Sequence, residues 1–378
     1  MKARQFLNVV MQRYRSGSLY TVSRIKPEEQ LFYGSTAEAR AAAKSKVNLT
    51  DWPPPAVAPP WMETITRIPP PRLRLQRSIS DEERIDFLPF HERSGGGASK
   101  ILCVDAEGHT VLYDMDAGSL QPIPCLNSPK GSRPIGFSAT DAEADDPERA
   151  HVFYVMGRYP VSCNPCNFEA LMYSDPSSGG RLKGWHWHPL PPPPAYVDEC
   201  PVLCHALLDM EGDSILVISS GQKSVGTYCF NTASRKWFKA GPWKLPFYSR
   251  AVHIPELDNL LFGIDTDEHH FCAMDISSHL ISKRGPPLVY TWPHLDLPED
   301  WAMLDCSFVY LGAGRFCISK VFEFGFDERT GDMTDMGVVM SGVEVVRYKK
   351  SGLVMVNHSS KFYNFIWDDI QCLVRVNH

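Results

Sequence analysis

The chain has 378 residues, of which 43% are hydrophobic and 22% charged, so it can bury a core and is not a disordered protein. Its formal net charge of −6 lacks the basic excess that is typical of nucleic-acid-binding proteins. No apolar run approaches the ~20 residues that a membrane-spanning helix requires. We therefore expect a soluble protein with neither nucleic acid nor a membrane as its partner.

The N-terminal segment bears on the compartment of the protein. It lacks the apolar stretch and cleavage site of a secretory signal, and the eleven cysteines are odd in number. Both observations favour a reducing compartment, the cytoplasm or the nucleus. The first 27 residues carry basic side chains and no acid, as transit peptides do, so organellar import stays open. Against import, residues 6–11 and 19–25 have the pattern of two strands around a turn.

One pattern recurs along the chain: an apolar strand, a turn, an alternating strand that ends in a turn residue, and a short segment with Trp or Pro. The clearest copy comprises residues 215–221, 227–231 and 236–238. The equivalent turn residues of five copies are Asp114, Ser174, Asn231, Asp275 and Asp327. The intervals between them centre near the kelch repeat period of about 50 residues.

The other copies are less regular. They comprise residues 101–104, 110–114 and 120–124; 152–157, 168–174 and 185–189; 260–263, 271–275 and 288–292; and 316–319, 322–327 and 338–340. A sixth, shorter unit is predicted as two strands over 352–356 and 361–365. The N-terminal strands have no local partner, so we expect them to join this sixth unit and close a ring, which removes exposed strand edges.

These repeats predict the fold class. The chain is expected to be all-β, a single β-propeller over residues 1–378 with about six kelch-like blades, its ring closed by the N- and C-terminal strands. Seven blades result if the N-terminal strands belong to a blade of their own. Residues 34–72 are rich in Ala and Pro and too proline-rich to continue a central strand, so they predict a surface excursion within the propeller.

The sharpest signal for a metal site consists of two cysteine pairs with two histidines between them: Cys163 and Cys166, Cys200 and Cys204, and His186 and His188. Thiols and imidazoles are zinc ligands. The pairs are far apart, however, and Cys204 lies in the strand-like run 203–208, where burial alone explains a cysteine. We therefore predict packing or loop thiols and no metal, and keep the four cysteines as the candidate ligands if zinc binds.

Other reactive constellations are weak. His269 and His270 lie beside Asp265, Asp267 and Glu268 and could bind a metal or transfer protons, although an acidic solvated loop is the commoner explanation. The chain contains no nucleophile elbow, phosphate-binding loop, dinucleotide fingerprint or His-Glu-x-x-His motif. We therefore predict no catalytic residue and no cofactor. Whether the chain is an enzyme stays open, with the non-catalytic reading favoured.

Distinctive motifs occupy much of the chain and are most specific in its C-terminal half, at residues 241–247, 254–256, 311–318 and 341–345. They resemble a large, grass-expanded plant family known as domain of unknown function 1668, which is related to kelch and F-box-associated propellers. The resemblance implies a propeller fold and a plant origin, and it transfers no catalytic residue because the family has no established activity. A leading F-box helix has no counterpart, since residues 1–40 lack an amphipathic helical pattern.

The function that these features favour is protein–protein interaction. Propellers present loops from many blades on one rim, so we expect a monomeric, non-catalytic interaction module with an unidentified protein partner. The alternative is an enzyme or glycan-binding protein whose site lies in the central channel. Carboxylates, histidines or tryptophans that converge in such a channel would favour the alternative.

Overall fold

A computed structural model describes most of the chain. The described residues are 6–13, 19–45, 62–65, 68–76, 84–91, 99–140, 151–160, 164–174, 184–194, 200–210, 213–222, 224–276, 280, 284–293, 301–327, 332–348 and 352–364. Two short helices lie near the start, α1 (Pro27–Leu31) and α2 (Thr36–Ser45). None of the helices in this part of the chain is long and apolar enough to span a membrane.

All other regular structure is β. The strands are β1 (Leu7–Arg13), β2 (Leu19–Ile25), β3 (Glu63–Ile65), β4 (Leu73–Gln76), β5 (Asp86–His91), β6 (Ser99–Val104), β7 (Thr110–Asp114), β8 (Ser119–Pro122), β9 (Ile135–Thr140), β10 (His151–Met156), β11 (Phe168–Ser174), β12 (Gly184–Pro189), β13 (Val202–Met210), β14 (Asp213–Ser220), β15 (Thr227–Asn231), β16 (Lys236–Gly241), β17 (Ser249–Ile254), β18 (Leu260–Ile264), β19 (Phe271–Met274), β20 (Leu288–Trp292), β21 (Ala302–Gly312), β22 (Arg315–Asp327), β23 (Asp332–Tyr348) and β24 (Gly352–Asn364). The predicted all-β class is confirmed.

The chain divides into two compact units. The first comprises Met1–Gln76, His269–Phe271 and Tyr290–Arg375, and the second comprises Arg77–Glu268, Cys272–Val289 and Val376–His378. The single propeller domain over residues 1–378 stays a prediction.

The second unit is built from meanders of four strands that follow one another in the sequence. The orders β5-β6-β7-β8 and β9-β10-β11-β12 form separate sheets. The orders β13-β14-β15-β16 and β17-β18-β19-β20 belong to one larger sheet, because β13 pairs with β17 in parallel. Four-stranded meanders of this kind are the blades of β-propellers.

Successive meanders bury their faces against one another. In β10, Phe153 and Val155 enter a core cluster shared with β6 and β7, while Tyr154 and Met156 enter another cluster shared with β14 and β15. The alternation in β14 is the same, since Leu216 joins the cluster shared with β10 and its neighbours join a third cluster with β17 and β18. Strands buried on both faces read as continuous apolar runs, which explains why these repeats stood out in the sequence.

The first unit combines early and late parts of the sequence. Its sheets have the orders β1-β2-β4 and β21-β22-β23-β24-β3, with β3 parallel to β24. Leu7, Val9 and Met11 of β1 pack in one cluster with Val338 and Tyr363 of the larger sheet. The N-terminal strands were expected to join the last unit and close a ring. In the structure β1 pairs with β2 and β2 with β4, while β3 extends the last sheet. The closure of a ring stays a prediction.

The N-terminal region contains more regular structure than the sequence pattern indicated. The surface excursion over residues 34–72 stays a prediction; within that range α2 contacts β24, and β3 pairs with β24. Residues 1–40, which lack an amphipathic helical pattern, contain α1 and the start of α2. The helix α2 is rich in alanine and buries only Ala39 among its hydrophobic residues, so intrinsic helix propensity rather than an apolar stripe explains it.

Specific polar contacts attach the helical segment to the C-terminal sheet of the first unit. Thr36 Oγ1 donates to Glu344 Oε2 at 2.7 Å, and the Tyr33 N–H donates to His358 Nδ1 at 3.2 Å. Because Nδ1 accepts this hydrogen bond, the proton of the neutral His358 ring lies on Nε2, which faces Glu344 Oε2 at 3.3 Å. Glu344 thus joins α2 and the buried imidazole of β24.

Glycine makes the close approach of α1 possible. A Cβ on Gly342 of β23 would clash with the carbonyl oxygen of Leu31, the last residue of α1. Leu31 itself is fully buried. The sheet therefore accepts the end of α1 only because position 342 carries no side chain.

Candidate functional site

The first strands of the four meanders in the second unit begin next to one another. The parallel register of β13 and β17 pairs Cys204 with Ser249, so both strands start at the same edge. The start of β9 is linked to the start of β5, because the Arg133 N–H donates to Asp86 Oδ2 at 3.2 Å. The close approach of β5 and β9 depends on Gly136, where a Cβ would lie 2.8 Å from the Leu88 side chain.

One arginine joins the start of β9 to the start of β13. Arg158 follows β10, and its Nε donates to the Arg133 carbonyl at 3.0 Å while its Nη1 donates to the Val202 carbonyl at 2.8 Å. The Val202 N–H donates back to the Arg158 carbonyl at 2.8 Å. The guanidinium group of Arg158 is therefore fixed between the starts of β9 and β13.

Positive charge exceeds negative charge at this edge. Arg84 Nε lies 3.2 Å from Asp86 Oδ1. Burial raises the pKa of Asp86, against the opposing effects of Arg84, the Arg133 N–H and Arg158. Burial and the neighbouring charge of Arg133 lower the pKa of Arg158, which remains a cation at neutral pH because arginine does not deprotonate in proteins. Among the described residues, three guanidinium groups thus surround one carboxylate.

Arg133 presents an exposed cation in an unusual backbone conformation. Its φ is 54°, in the left-handed region that L-residues rarely adopt, and Pro134 follows it. Its backbone N–H and carbonyl make the hydrogen bonds described above, and its side chain has no carboxylate within 4.0 Å among the described residues. Strained positions are frequent at functional sites, and this one holds a free guanidinium at the edge.

Two exposed apolar side chains lie beside the arginines. Tyr159 is 50% exposed and Leu203 is 45% exposed, and each follows by one residue the hydrogen-bonded pair Arg158 and Val202. The two side chains follow residues that are joined by hydrogen bonds, so they place apolar surface near the arginines. We refer to Arg133, Arg158, Tyr159 and Leu203 together as the arginine face.

The predicted cysteine site is only partly described. Cys163 lies outside the described residues, and the Cys166 carbonyl accepts a hydrogen bond from Lys130 Nζ. Cys200 Sγ lies 2.7 Å from Ser220 Oγ, and Cys204 is buried in the core, where burial raises the pKa of its thiol. Within the described ranges, no three His, Cys, Asp or Glu side chains gather to hold a metal ion.

The predicted histidine positions also have local structural partners. His186 and His188 are half-buried in β12 on either side of the buried Trp187. In the second predicted group, the acidic residues beside His269 and His270 form a turn. Asp265 Oδ1 accepts hydrogen bonds from the N–H groups of Asp267 and Glu268 at 2.9 and 2.7 Å. This carboxylate therefore shapes a turn, as aspartates commonly do.

A buried ion pair near Cys166 was not predicted. Lys130 Nζ contacts Glu169 and donates to the Ser128 carbonyl at 2.8 Å, and Glu169 Oε2 also accepts the Asn127 N–H at 3.1 Å. Burial lowers the pKa of Lys130, against the opposing effect of Glu169. Because both charges are buried and hydrogen-bonded, the pair links the loop before β9 to β11 and offers nothing to a ligand.

Comparison with known families relates the chain to other proteins. A family described as protein of unknown function (DUF1668) matches residues 4–363. The chain belongs to this family. The resemblance found in the sequence of this DUF1668 protein is thereby confirmed. No match to it was found among curated proteins.

Solved structures also match this DUF1668 protein, with 29 matching chains. One of them is titled "Crystal structure of BBS1N in complex with ARL6DN, soaked with lead" and shares 10% sequence identity, with a TM-score of 0.32. The similarity covers 74% of this chain and 81% of that chain. A similarity at this TM-score carries no argument about fold or function.

Proposed function

We propose that this DUF1668 protein is a kelch-like β-propeller that acts as a non-catalytic protein–protein interaction module and binds its partner through the arginine face. The observation that carries the proposal is the presence of exposed Tyr159 and Leu203 beside Arg133 and Arg158. Tyrosine and arginine are enriched among the residues that dominate binding energy at protein interfaces. We place the protein, as a monomer, in the cytoplasm or nucleus of plant cells.

The arrangement of the meanders supports the propeller part of the proposal. Consecutive four-stranded meanders share core clusters face to face, as neighbouring blades do. Their first strands β5, β9, β13 and β17 begin side by side, as the innermost strands of successive blades would. In such a fold the loops before these strands share one rim, and loops held on a rigid scaffold are common binding surfaces.

Affinity purification from plant cells with matched variants tests the proposal. The bait with both Tyr159→Ala and Leu203→Ser is expected to lose the specific partner that the wild-type chain recovers, because hot-spot truncations weaken binding by about 30-fold or more. The control is Leu120→Ser, which removes a side chain that is 49% exposed on β8, outside the arginine face. Recovery of the same proteins by all three baits would contradict the proposal.

A further inference from the structure

Charge complementarity indicates what kind of partner fits the arginine face. The whole chain has a formal net charge of −6, whereas this edge of the second unit gathers Arg84, Arg133 and Arg158 around a single carboxylate. Surfaces whose charge opposes that of the remaining protein attract ligands of the opposite sign and orient them. The local excess of cations therefore favours an anionic group on the partner.

The two arginines of the face differ in how they can act on a ligand: Arg133 is exposed, whereas Arg158 is more deeply buried and contributes its charge. Asp86 is engaged by Arg84 and by the backbone N–H of Arg133. The side-chain hydrogen bonds of Arg158 go to two backbone carbonyls, which orient the guanidinium group without neutralising it. Neither Arg133 nor Arg158 has a carboxylate within 4.0 Å among the described residues. A preorganised guanidinium group is well suited to bind a carboxylate through two parallel hydrogen bonds.

The apolar side chains of the arginine face favour a peptide over other anionic ligands. Tyr159 and Leu203 flank the arginines and offer contact area that a free inorganic anion would leave uncovered. Nucleic acid is disfavoured as the ligand because proteins that bind it carry an extended basic surface. A chain of net charge −6 does not provide one. A segment of a protein partner can supply both an acidic and an apolar side chain.

We propose that the arginine face binds an acidic peptide segment, in which an Asp or Glu carboxylate pairs with the exposed Arg133, beside the charge of Arg158, while a neighbouring apolar side chain packs against Tyr159 and Leu203. This inference rests on the proposed interaction function and specifies its ligand. Salt weakens such binding because the charge pairs form near the surface.

Selection from a phage-displayed library of random linear peptides, with the full chain as target, identifies a probe. Selected peptides are expected to be richer in Asp and Glu than the input library. One of them, synthesised with a fluorescein label, is then titrated in fluorescence anisotropy against the variants. Arg133→Gln is expected to weaken binding by about tenfold, since a charge-assisted contact is lost.

Two further variants separate charge from other effects. Arg133→Lys keeps the positive charge and is expected to lose less affinity than Arg133→Gln. Arg235→Gln is the matched control, because Arg235 is also exposed and also has a positive φ, of 55°, but lies in the turn between β15 and β16. Its affinity is expected to stay within about twofold of the wild type. The Arg133 side chain makes no hydrogen bond in the described structure, so its replacement leaves the folded state intact, which thermal unfolding verifies.

The outcomes separate this inference from the proposed function. Neutral peptides whose binding depends on Tyr159 and Leu203 would overturn the acidic-segment inference and leave the interaction function standing. Acidic peptides that bind Arg133→Gln as tightly as the wild type would also overturn the inference. Two further outcomes would count against both the acidic-segment inference and the proposed interaction function. One is that no variant of the arginine face alters peptide binding, and the other is that no peptide is selected.

Discussion

Asp114 and Asn231 show how well single residues could be predicted. Both were aligned as turn positions of the repeat, and both side chains bond to the turn that follows them. Asp114 Oδ1 accepts from the N–H groups of Asp116 and Ala117 at 2.9 and 2.8 Å, and Asn231 Oδ1 accepts from Ser234 at 2.7 Å. Short polar side chains favour such turns through this mechanism, which is why residue type alone located them.

The turns that begin at Asp114 and Asn231 differ at their fifth residue, which is Gly118 in one and Arg235 in the other. This difference predicts a stabilising substitution. Gly118 has a φ of 65° and Arg235 has a φ of 55°. An L-residue in this region costs about 1–2 kcal/mol, a strain that glycine avoids. We expect Arg235→Gly to raise the free energy of unfolding by about 1 kcal/mol in urea titrations, after the entropic cost of glycine is subtracted.

The matched control for this substitution is Gly118→Ala. A Cβ at position 118 would meet no atom within 4 Å, so only the backbone strain changes. The free energy of unfolding is expected to fall by about 1 kcal/mol. An Arg235→Gly variant that is less stable than the wild type would refute the assignment of strain to this turn.

The arginine face could not be found by the same reasoning. Arg133 and Arg158 are separated in the sequence, belong to no known motif and meet only because Arg158 reaches the backbone of two other strand starts. A weak local signal exists, since Pro134 follows Arg133 directly and Pro160 follows Arg158 by two residues. Cysteines, by contrast, attracted attention through their spacing although burial explains Cys204.

At the scale of elements, three strands of each meander in the second unit were predicted and the first strand was mostly missed. The middle strands of the meanders, such as β14, β18 and β19, carry continuous apolar runs because they are buried on both faces. The first strands lack such runs: β5 contains Pro89 and β9 contains Gly136. Both residues are uncommon inside strands, so the pattern did not indicate that β5 and β9 exist. Only β13 was visible, as the run 203–208.

In the fifth repeat, residues 316–319 and 322–327 were predicted as separate strands, and in the sixth, residues 352–356 and 361–365. The predicted break is wrong in both repeats, because each pair of segments belongs to a single long strand, β22 or β24. Ser319 ends one predicted segment and Ser360 lies between two others, and each faces a serine on the neighbouring strand. Ser319 Oγ lies 2.5 Å from Ser307 Oγ, and Ser360 Oγ lies 2.8 Å from Ser341 Oγ. Cross-strand hydroxyl pairs let a strand continue through polar positions, and a single sequence does not reveal such partners.

The attachment of α1 and α2 to the C-terminal sheet depends on ionisation. Burial lowers the pKa of His358 from its ordinary value of 6.5, against the opposing effects of its hydrogen bond and charge interaction with Glu344. Burial alone would raise the pKa of Glu344 above 4.5, but hydrogen bonds from Thr36 and His358 together with Arg315 outweigh it and lower this pKa. Both shifts favour the folded protein at neutral pH.

The sign of these shifts predicts loss of stability in acid. A group whose pKa is lowered by folding stabilises the protein above its unfolded pKa, and this contribution declines as the pH falls towards the folded pKa. We therefore expect the free energy of unfolding to fall as the pH drops below about 6.5, because the unfolded chain binds a proton at His358 more readily than the folded protein does. In the folded protein, a proton on Nδ1 would cost the Tyr33 hydrogen bond. Glu344 adds a further loss below about 4.5.

Urea titrations at several pH values measure this effect. The variant His358→Gln is expected to be less stable at pH 7 and to show a flatter pH dependence between about pH 6.5 and 5. His186→Gln controls for the removal of a half-buried histidine elsewhere and is expected to keep the wild-type slope. Equal slopes in all three proteins would exclude His358 as the source.

At the scale of the whole molecule, the two units differ in the distances along the chain that their contacts span. The second unit pairs neighbouring strands within meanders, whereas the first unit pairs β3 with β24, placing Thr64 opposite Phe362. Long-range pairing slows folding because the loop must close before its contacts form. The second unit is therefore expected to fold first.

Pulsed hydrogen exchange during refolding, read by mass spectrometry of peptides, tests this order. Peptides from β10 and β14 are expected to gain protection before peptides from β23 and β24, whose strands belong to the first unit. The control is the unfolded chain, which labels all four peptides alike. Simultaneous protection of all four, in one kinetic phase, would contradict the expected order.

The pairing of β3 with β24 also bears on incomplete chains. A ribosome that stalls before residue 302 releases a product that has β1, α1 and β3 but none of the strands β21 to β24 on which they pack. The side chains of Leu7, Val9 and Met11 then lack the C-terminal sheet that covers them and form an exposed apolar surface. Chaperones and proteases recognise surfaces of this kind. The core of the first unit therefore cannot form until the C-terminal strands have been synthesised.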